Sequence, residues 1–160
     1  MPAIVFWLMG SFAGASYEKI YIALIPSAIG GMLLFAMRWK LNLLALSDEE
    51  AKAFGANPAL LRWIVFACVA LITAASVAVA GEVGWVGLVV PYMARMIVGS
   101  DCRYLLPASA LIGASFLVII DTLSRSVMAA EIPIGILTAF VGAPIFFVLL
   151  RAYGKRILNG

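Results

Sequence analysis

The 160-residue chain has no histidine, only two cysteines, and charge on just 12% of its residues. Each shortage excludes something. Without histidine the chain lacks the commonest general base and metal ligand, and with it the His-dependent metalloprotease and serine-hydrolase motifs. Two cysteines cannot build a disulfide framework. Cys68 sits midway along an apolar run and Cys102 in a polar loop, so the two are not expected to pair. No G-x-x-x-x-G-K-[ST] motif occurs, so the chain is not expected to bind and split ATP itself. Gly81, Gly84 and Gly87 do not make a dinucleotide fingerprint, because the series lacks G-x-G and follows no strand; close packing at a tight turn is their expected role. The isoelectric point near 9.1 does not point to nucleic acid, since the basic residues lie at the ends of apolar runs and form no stripe.

What the chain has is apolar length. Hydrophobic residues make up 65% and the mean hydropathy is +1.11, far from the composition of a soluble domain and typical of an integral membrane protein. At about 20 residues per crossing there is room for four or five spans and no sizeable soluble domain. The first residues lack a positively charged region and a cleavage site, so they do not read as a signal peptide. The fold class expected is all-α: a polytopic transmembrane bundle of about five spans with shorter half-helices. Residues 1–16 are apolar but too short to cross, and read as an outer half-helix with a small-xxx-small pair at Gly10 and Gly14. Spans are expected at 17–38, 59–80, 83–98 and 104–126, with a broken half-helix and span at 133–153. Pro26 and Gly30-Gly31 should bend the first of these. The 83–98 segment, kinked at Pro91, reaches only about 24 Å at 1.5 Å per residue and must be tucked among neighbours. Pro133 and Pro144 bracket a half-helix expected to break at Gly142 and Pro144.

One stretch, "LNLLALSDEEAKAFGAN" at 41–57, interrupts this pattern. Ser47 and Glu50 have the spacing of a capping box, and Asp48, Glu49 and Glu50 suit the positive end of a helix dipole. Gly55 supplies a left-handed cap, and Asn57-Pro58 starts the next helix. Two turns do not persist alone in water. The stretch is therefore either a solvated connector or a docking element held by packing. Charge assigns its side. Arg38, Lys40, Lys52, Arg62, Arg95, Arg103, Arg151, Lys155 and Arg156 fall at one end of the spans, against Lys19 and Arg125 at the other. The richer end is expected to be cytoplasmic.

Few residues offer chemistry. Asp121 and Arg125, spaced i, i+4, can pair on the outer last turn of a span, as a structural pair, a partner-docking site or part of a pathway lining. Glu82 and Glu131 fall at outer turns without a nucleophile or base beside them. No catalytic residue, metal-ligand set or cofactor is expected, and the methionines and aromatics read as lipid-facing or core.

Five blocks resemble the permease subunits of FecCD-type ATP-binding cassette importers, which carry iron–siderophore complexes, haem and cobalamin: "WLMGSFAGAS", the 41–57 stretch, "ALITAASVAVAGEVGWVGLVVPYMARMIVGSD", "LLPASALIGASFLVIIDTLSR" and "AEIPIGILTAFVGAPIFFVLLR". Their order and spacing match over nearly the whole chain. The resemblance implies a non-enzymatic pore subunit in a prokaryotic plasma (inner) membrane, with the coupling loop and the C-terminus cytoplasmic. It implies four kinds of partner: an ATPase subunit, a second permease copy with the N-terminal half, an extracytoplasmic substrate-binding protein, and the lipid bilayer. It implies that Ser47, Asp48, Glu49, Glu50, Ala51 and Gly55 form the seat of the ATPase and that Asp121 and Arg125 meet the binding protein. It also implies that the half-helices carrying Gly10, Gly14, Pro133, Gly135 and Gly142 line the pathway.

Three departures stand out. Tyr92, after Val90-Pro91, and Cys102 stand where the family usually or often has histidine, and the chain resembles only the C-terminal half of a ten-span subunit. A truncated, non-transporting remnant or an accessory membrane subunit is the alternative reading; an intramembrane enzyme lacks any nucleophile–base constellation. One prediction follows from the charge asymmetry. With Glu50→Cys introduced, a membrane-impermeant thiol reagent labels position 50 from the cytoplasmic side only; labelling from outside intact cells would invert the topology.

Overall fold

The computed structural model describes residues 9, 10, 12, 16–127 and 133–158. The Gly14 assignment, Glu131 and most of the 1–16 half-helix lie outside these residues. Among the described residues there is no strand. The elements are α1 (Tyr17–Leu41), a 3-10 turn (Asn42–Ala45), α2 (Asp48–Ala53), α3 (Pro58–Ala80), α4 (Val86–Val98), α5 (Cys102–Val127) and α6 (Ile134–Leu158). The helices α1, α3, α5 and α6 are long and apolar enough to cross a membrane. At 13 residues, α4 spans about 20 Å, short of a crossing. It is tucked inside: Val89 and Ala94 are fully buried, Val90 nearly so, with α5 and α6 packed around them.

The bundle falls into two groups. Helices α1 and α3 pair along their lengths, while α4, α5 and α6 pack on one another, and α1 against α5 forms the main seam between the groups. Gly30 permits the first pairing: a Cβ there would stand 2.8 Å from Ile72 Cγ1 and 3.1 Å from the Cys68 carbonyl oxygen. Its neighbour Gly31 faces open space. Both ends of the bundle are fixed by contacts far apart in sequence. Asn42 meets Asp101 at the basic end, and at the opposite end Met9 and Gly10 meet Ile134 and Gly135.

The expected break at Gly142 and Pro144 does not occur, because α6 is continuous through both. An interior proline costs about 3 kcal/mol. Opening a turn in hydrocarbon instead strands several peptide groups, each costing several kcal/mol. The continuous helix is the cheaper solution. Pro26, Pro91 and Pro107 likewise lie inside helices.

The tight glycine contacts also differ from expectation. Gly84 and Gly87 face open space. Close approach occurs at Gly10, where a Cβ would lie 2.7 Å from the Glu82 carbonyl oxygen, and at Gly135, where it would run into the Met9 carbonyl oxygen. The 81–85 turn is held by these contacts, and α4 accordingly starts only at Val86, after Trp85 adopts φ 64°.

Large apolar side chains remain exposed around the long helices, among them Tyr17, Met32, Trp63, Phe66, Leu111, Phe140 and Phe147. Such surface is stable only against lipid or apolar protein. Replacing Gly30 by valine is expected to destabilise the bundle by about 1–3 kcal/mol through overpacking against Ile72. Gly31→Ala should be neutral or stabilising by up to about 1 kcal/mol. Unfolding midpoints in detergent check the pair.

Candidate functional site: a capped acidic helix at the basic end

Helix α2 is six residues long and both of its ends are closed. At its N-terminus the Glu50 amide donates to Ser47 Oγ at 3.3 Å. The Ser47 amide and hydroxyl donate in return to Glu50 Oε2 at 3.0 and 2.8 Å. These bonds, the hydroxyl's first and the amide's second, hold the Glu50 carboxyl below its ordinary pKa. At the C-terminus Gly55 takes φ 75°, its amide donates to the Lys52 carbonyl at 2.8 Å, and the Ala56 amide donates to the Ala51 carbonyl at 3.1 Å. This is a Schellman closure, and it calls for a residue at ease in the left-handed region. The next helix begins with Asn57 capping the Leu60 amide at 3.2 Å and Pro58 in its first turn.

The three acids have separate fates. Asp48 is tied to Arg62 of α3 by two hydrogen bonds, 2.6 and 3.3 Å, which fasten α2 to the bundle. Both partners are about half exposed, so the pair adds at most about 1 kcal/mol and acts chiefly as a positional tie. Glu50 is spent on the capping box. Glu49 is exposed and has no ion-pair or hydrogen-bond partner among the described residues. Ala51, counted with the docking seat in the sequence, is 1% exposed and packs inward, so it is closed to any partner. Phe54, at the C-cap, is 71% exposed. It borders a cavity of about 360 Å³ that Gly55, Asn57, Lys40, Leu61 and Ile64 also line.

Sequence reasoning missed the junction above this helix. Asn42 follows α1 and opens the 3-10 turn; its Nδ2 donates to Asp101 Oδ1 at 2.7 Å, and its Oδ1 accepts from the Cys102 amide at 2.9 Å. Asp101 Oδ1 also accepts from the Arg103 amide at 3.0 Å. The Asn42 bond first, and the Arg103 amide second, hold the Asp101 carboxyl below its ordinary range. The Arg103 guanidinium lies 3.3 Å over the Trp39 ring on the last turn of α1. Polar residues at span ends were the signal, but a partner 59 positions away is not legible in a single sequence.

At the opposite end Arg125 Nε donates to Asp121 Oδ2 at 3.0 Å, the expected i, i+4 pair, largely exposed on its arginine side. Gly135 helps line an apolar groove of about 740 Å³ with Met9, Trp85, Ile136, Ala139, Phe140, Ala143 and Pro144. Gly10 and Gly142 are buried behind this surface; a Cβ at Gly142 would stand 3.0 Å from Trp85 Cβ. Pro133 is half-buried just before α6. Phe146 stacks edge-on against both Trp85 and Tyr92, so Tyr92 packs as an aromatic.

The depressed Glu50 pKa sets a pH dependence. Its contribution to α2 is complete above the pKa of a free glutamate, about 4.3, and is lost as pH falls through the lower folded-state value. Amide exchange at residues 48–53, corrected for intrinsic rates, should accelerate across that window. Glu50→Gln, which keeps an acceptor but does not titrate, should flatten the dependence.

Comparisons with known proteins bear on the fold and the family. The model of the FecCD transport family matches residues 1–152. The molybdate import system permease protein MolB of Haemophilus influenzae is 46% identical over 159 residues, covering 99% of this chain and 47% of that protein. The cobalamin import system permease protein BtuC of Halobacterium salinarum is 41% identical over 98% of this chain and 42% of its own length. A solved structure of an inward-facing ABC transporter of metal-chelate type superposes with a TM-score of 0.92 at 46% identity, over 94% of this chain and 49% of that one. The chain thus spans about half the length of the curated relatives it matches. With the match extending over most of its residues, the chain belongs to the FecCD transport family.

Proposed function

We propose that the chain forms the C-terminal half of the transmembrane domain of an ATP-driven importer, and that residues 41–57 couple it to a separate ATPase subunit. The observation that carries this reading is α2. It is a two-turn helix closed at both ends, tied to α3 through Asp48–Arg62, with Glu49 and Phe54 turned outward. A mere connector does not need such rigidity. A foot that must transmit force does, because a frayed helix would absorb the displacement it receives. On this reading the basic end faces the cytoplasm. Closure of the nucleotide-binding dimer pushes on Glu49, Phe54 and the Gly55 turn, and α1 and α3 tilt with them.

The same reading assigns the apolar groove around Gly135 and Phe140 to the wall of the pathway, with Pro133, Gly10 and Gly142 shaping the backbone behind it, and the Asp121–Arg125 turn to the substrate-binding protein. The pore subunit itself performs no covalent chemistry. The substrate is proposed to be a metal chelate of the iron–siderophore, haem or cobalamin type. A wall without charge, as this groove is among its lining residues, suits a bulky chelate that slides past and is not gripped. The permease for molybdate among the relatives makes the oxyanion the competing cargo to test.

The complete permease, reconstituted with its ATPase and binding protein, tests both points. Glu49→Lys and Gly55→Trp should each cut uptake by about an order of magnitude while ATP hydrolysis and membrane insertion persist. Uptake arms with molybdate, a ferric siderophore and cobalamin identify the cargo. Undiminished uptake in both variants would remove α2 from the coupling path.

A further inference from the structure

The coupling element hangs from the α1–α3 pair, whereas the groove-lining helix α6 belongs to the other group with α4 and α5. A push on α2 therefore reaches α1 and α3 through the chain and through Asp48–Arg62. It reaches α6 either along α3 through the 81–85 turn at the far end of the bundle or, at the coupling end, across the α1–α5 seam. The polar junction sits at the coupling end of that seam. Asn42 occupies both of its amide groups there, one on the Asp101 carboxylate and one on the Cys102 amide. Asp101 in turn holds the Arg103 amide with the same oxygen, and its carbonyl accepts from the amides of Tyr104 and Leu105, so it is built into the first turn of α5. Arg103 reaches back over Trp39 on α1. Three groups from the start of one helix, the Asp101 carboxylate, the Cys102 amide and the Arg103 guanidinium, thus close on the end of another, in a partly buried setting where hydrogen bonds to a charged group are at their strongest.

We infer that Asn42 and Asp101 are positioning residues that form the linkage through which movement of the coupling helix is handed from α1 to α5, and so to the groove face of α6. The inference rests on the coupling role proposed for α2. Asn42 is the residue that joins the end of α1 to the turn leading into α2, so displacement of α2 displaces Asn42 directly. The carboxylate–amide pair then obliges α5 to follow, where an apolar contact would allow slip.

The chemistry of the pair supplies its own test. Asn42→Asp sets two carboxylates against each other and breaks the link. Adding Asp101→Asn restores it with the roles exchanged. The amide now at position 101 donates to the carboxylate at position 42, which still accepts from the Cys102 amide; the Arg103 amide, which shared that one oxygen in the native pair, gives up its side-chain acceptor. The readout needs no substrate. In a cysteine-free complete permease assembled with its ATPase, Ala139→Cys on the groove face of α6 reports ATP-dependent changes in labelling by a thiol reagent.

The linkage predicts that Asn42→Asp reduces the ATP-induced change in labelling rate at least about threefold. ATPase co-purification and hydrolysis should hold, and Asn42→Asp with Asp101→Asn should recover the response. An unaltered response in Asn42→Asp, or one that the exchange does not recover, overturns the inference. So does a loss of assembled complex in place of a loss of response, which would mark a purely structural tie. Glu49→Lys, run in parallel, separates the two levels. If it abolishes the response and Asn42→Asp does not, the linkage fails and the coupling role stands; if neither acts, the coupling role itself fails.

Discussion

Everything in this structure answers to the need to pair each peptide group within the protein where no water is available to do it. In hydrocarbon an unpaired amide or carbonyl costs several kcal/mol, and only continuous helices avoid that cost along their length. This is why α6 runs unbroken through Gly142 and Pro144, and why three further prolines sit inside helices. The same constraint governs the helix ends. The first amides of α6 find the Met9 and Gly10 carbonyls at 3.1 and 2.8 Å, and those of α5 find Asp101. Ends are the only places where the chain has a choice of partner, and the functional geometry is built there.

The two ends of the bundle use that choice differently. At the basic end the partners are side chains: Ser47 with Glu50, Asp48 with Arg62, Asn42 with Asp101. Such contacts carry charge and tie named groups of one helix to another, while Glu49 and Phe54 beside them stay exposed. At the opposite end the partners are backbone on backbone, with glycine at positions 10 and 135 so that the chains approach closely. A joint of the first kind suits the receipt of a signal; one of the second kind suits a hinge that must keep its geometry. The proposed division of labour, with a driven foot below and a shaped apolar groove above, follows from this contrast.

Much of this was legible in the sequence, and the boundary of what was legible is physical. Local chemistry could be read. The Ser47–Glu50 box, the Gly55 turn, the Asn57-Pro58 start and the Asp121–Arg125 pair depend on residues within four positions of one another, and spacing encodes them. Contacts across the bundle could not. Asp48–Arg62 and Asn42–Asp101 depend on which helices pack together, and apolar runs of similar composition do not say which. The errors share one origin. Propensities for proline and glycine, calibrated in water, pointed to a break at 142–144 and to crowding at Gly84 and Gly87; the membrane overrode the first, and the 81–85 turn moved the crowding to Gly10 and Gly135.

The backbone joint between the 9–10 segment and the start of α6 has a consequence for how the molecule is made. Its two sides lie far apart along the described chain, so the joint closes only once α6 is in place, although Gly10 already meets Glu82 at the 81–85 turn. Closure is thus a clasp between distant segments, not the growth of one more helix, and a ribosome paused before residue 134 would leave this end of the bundle without that joint.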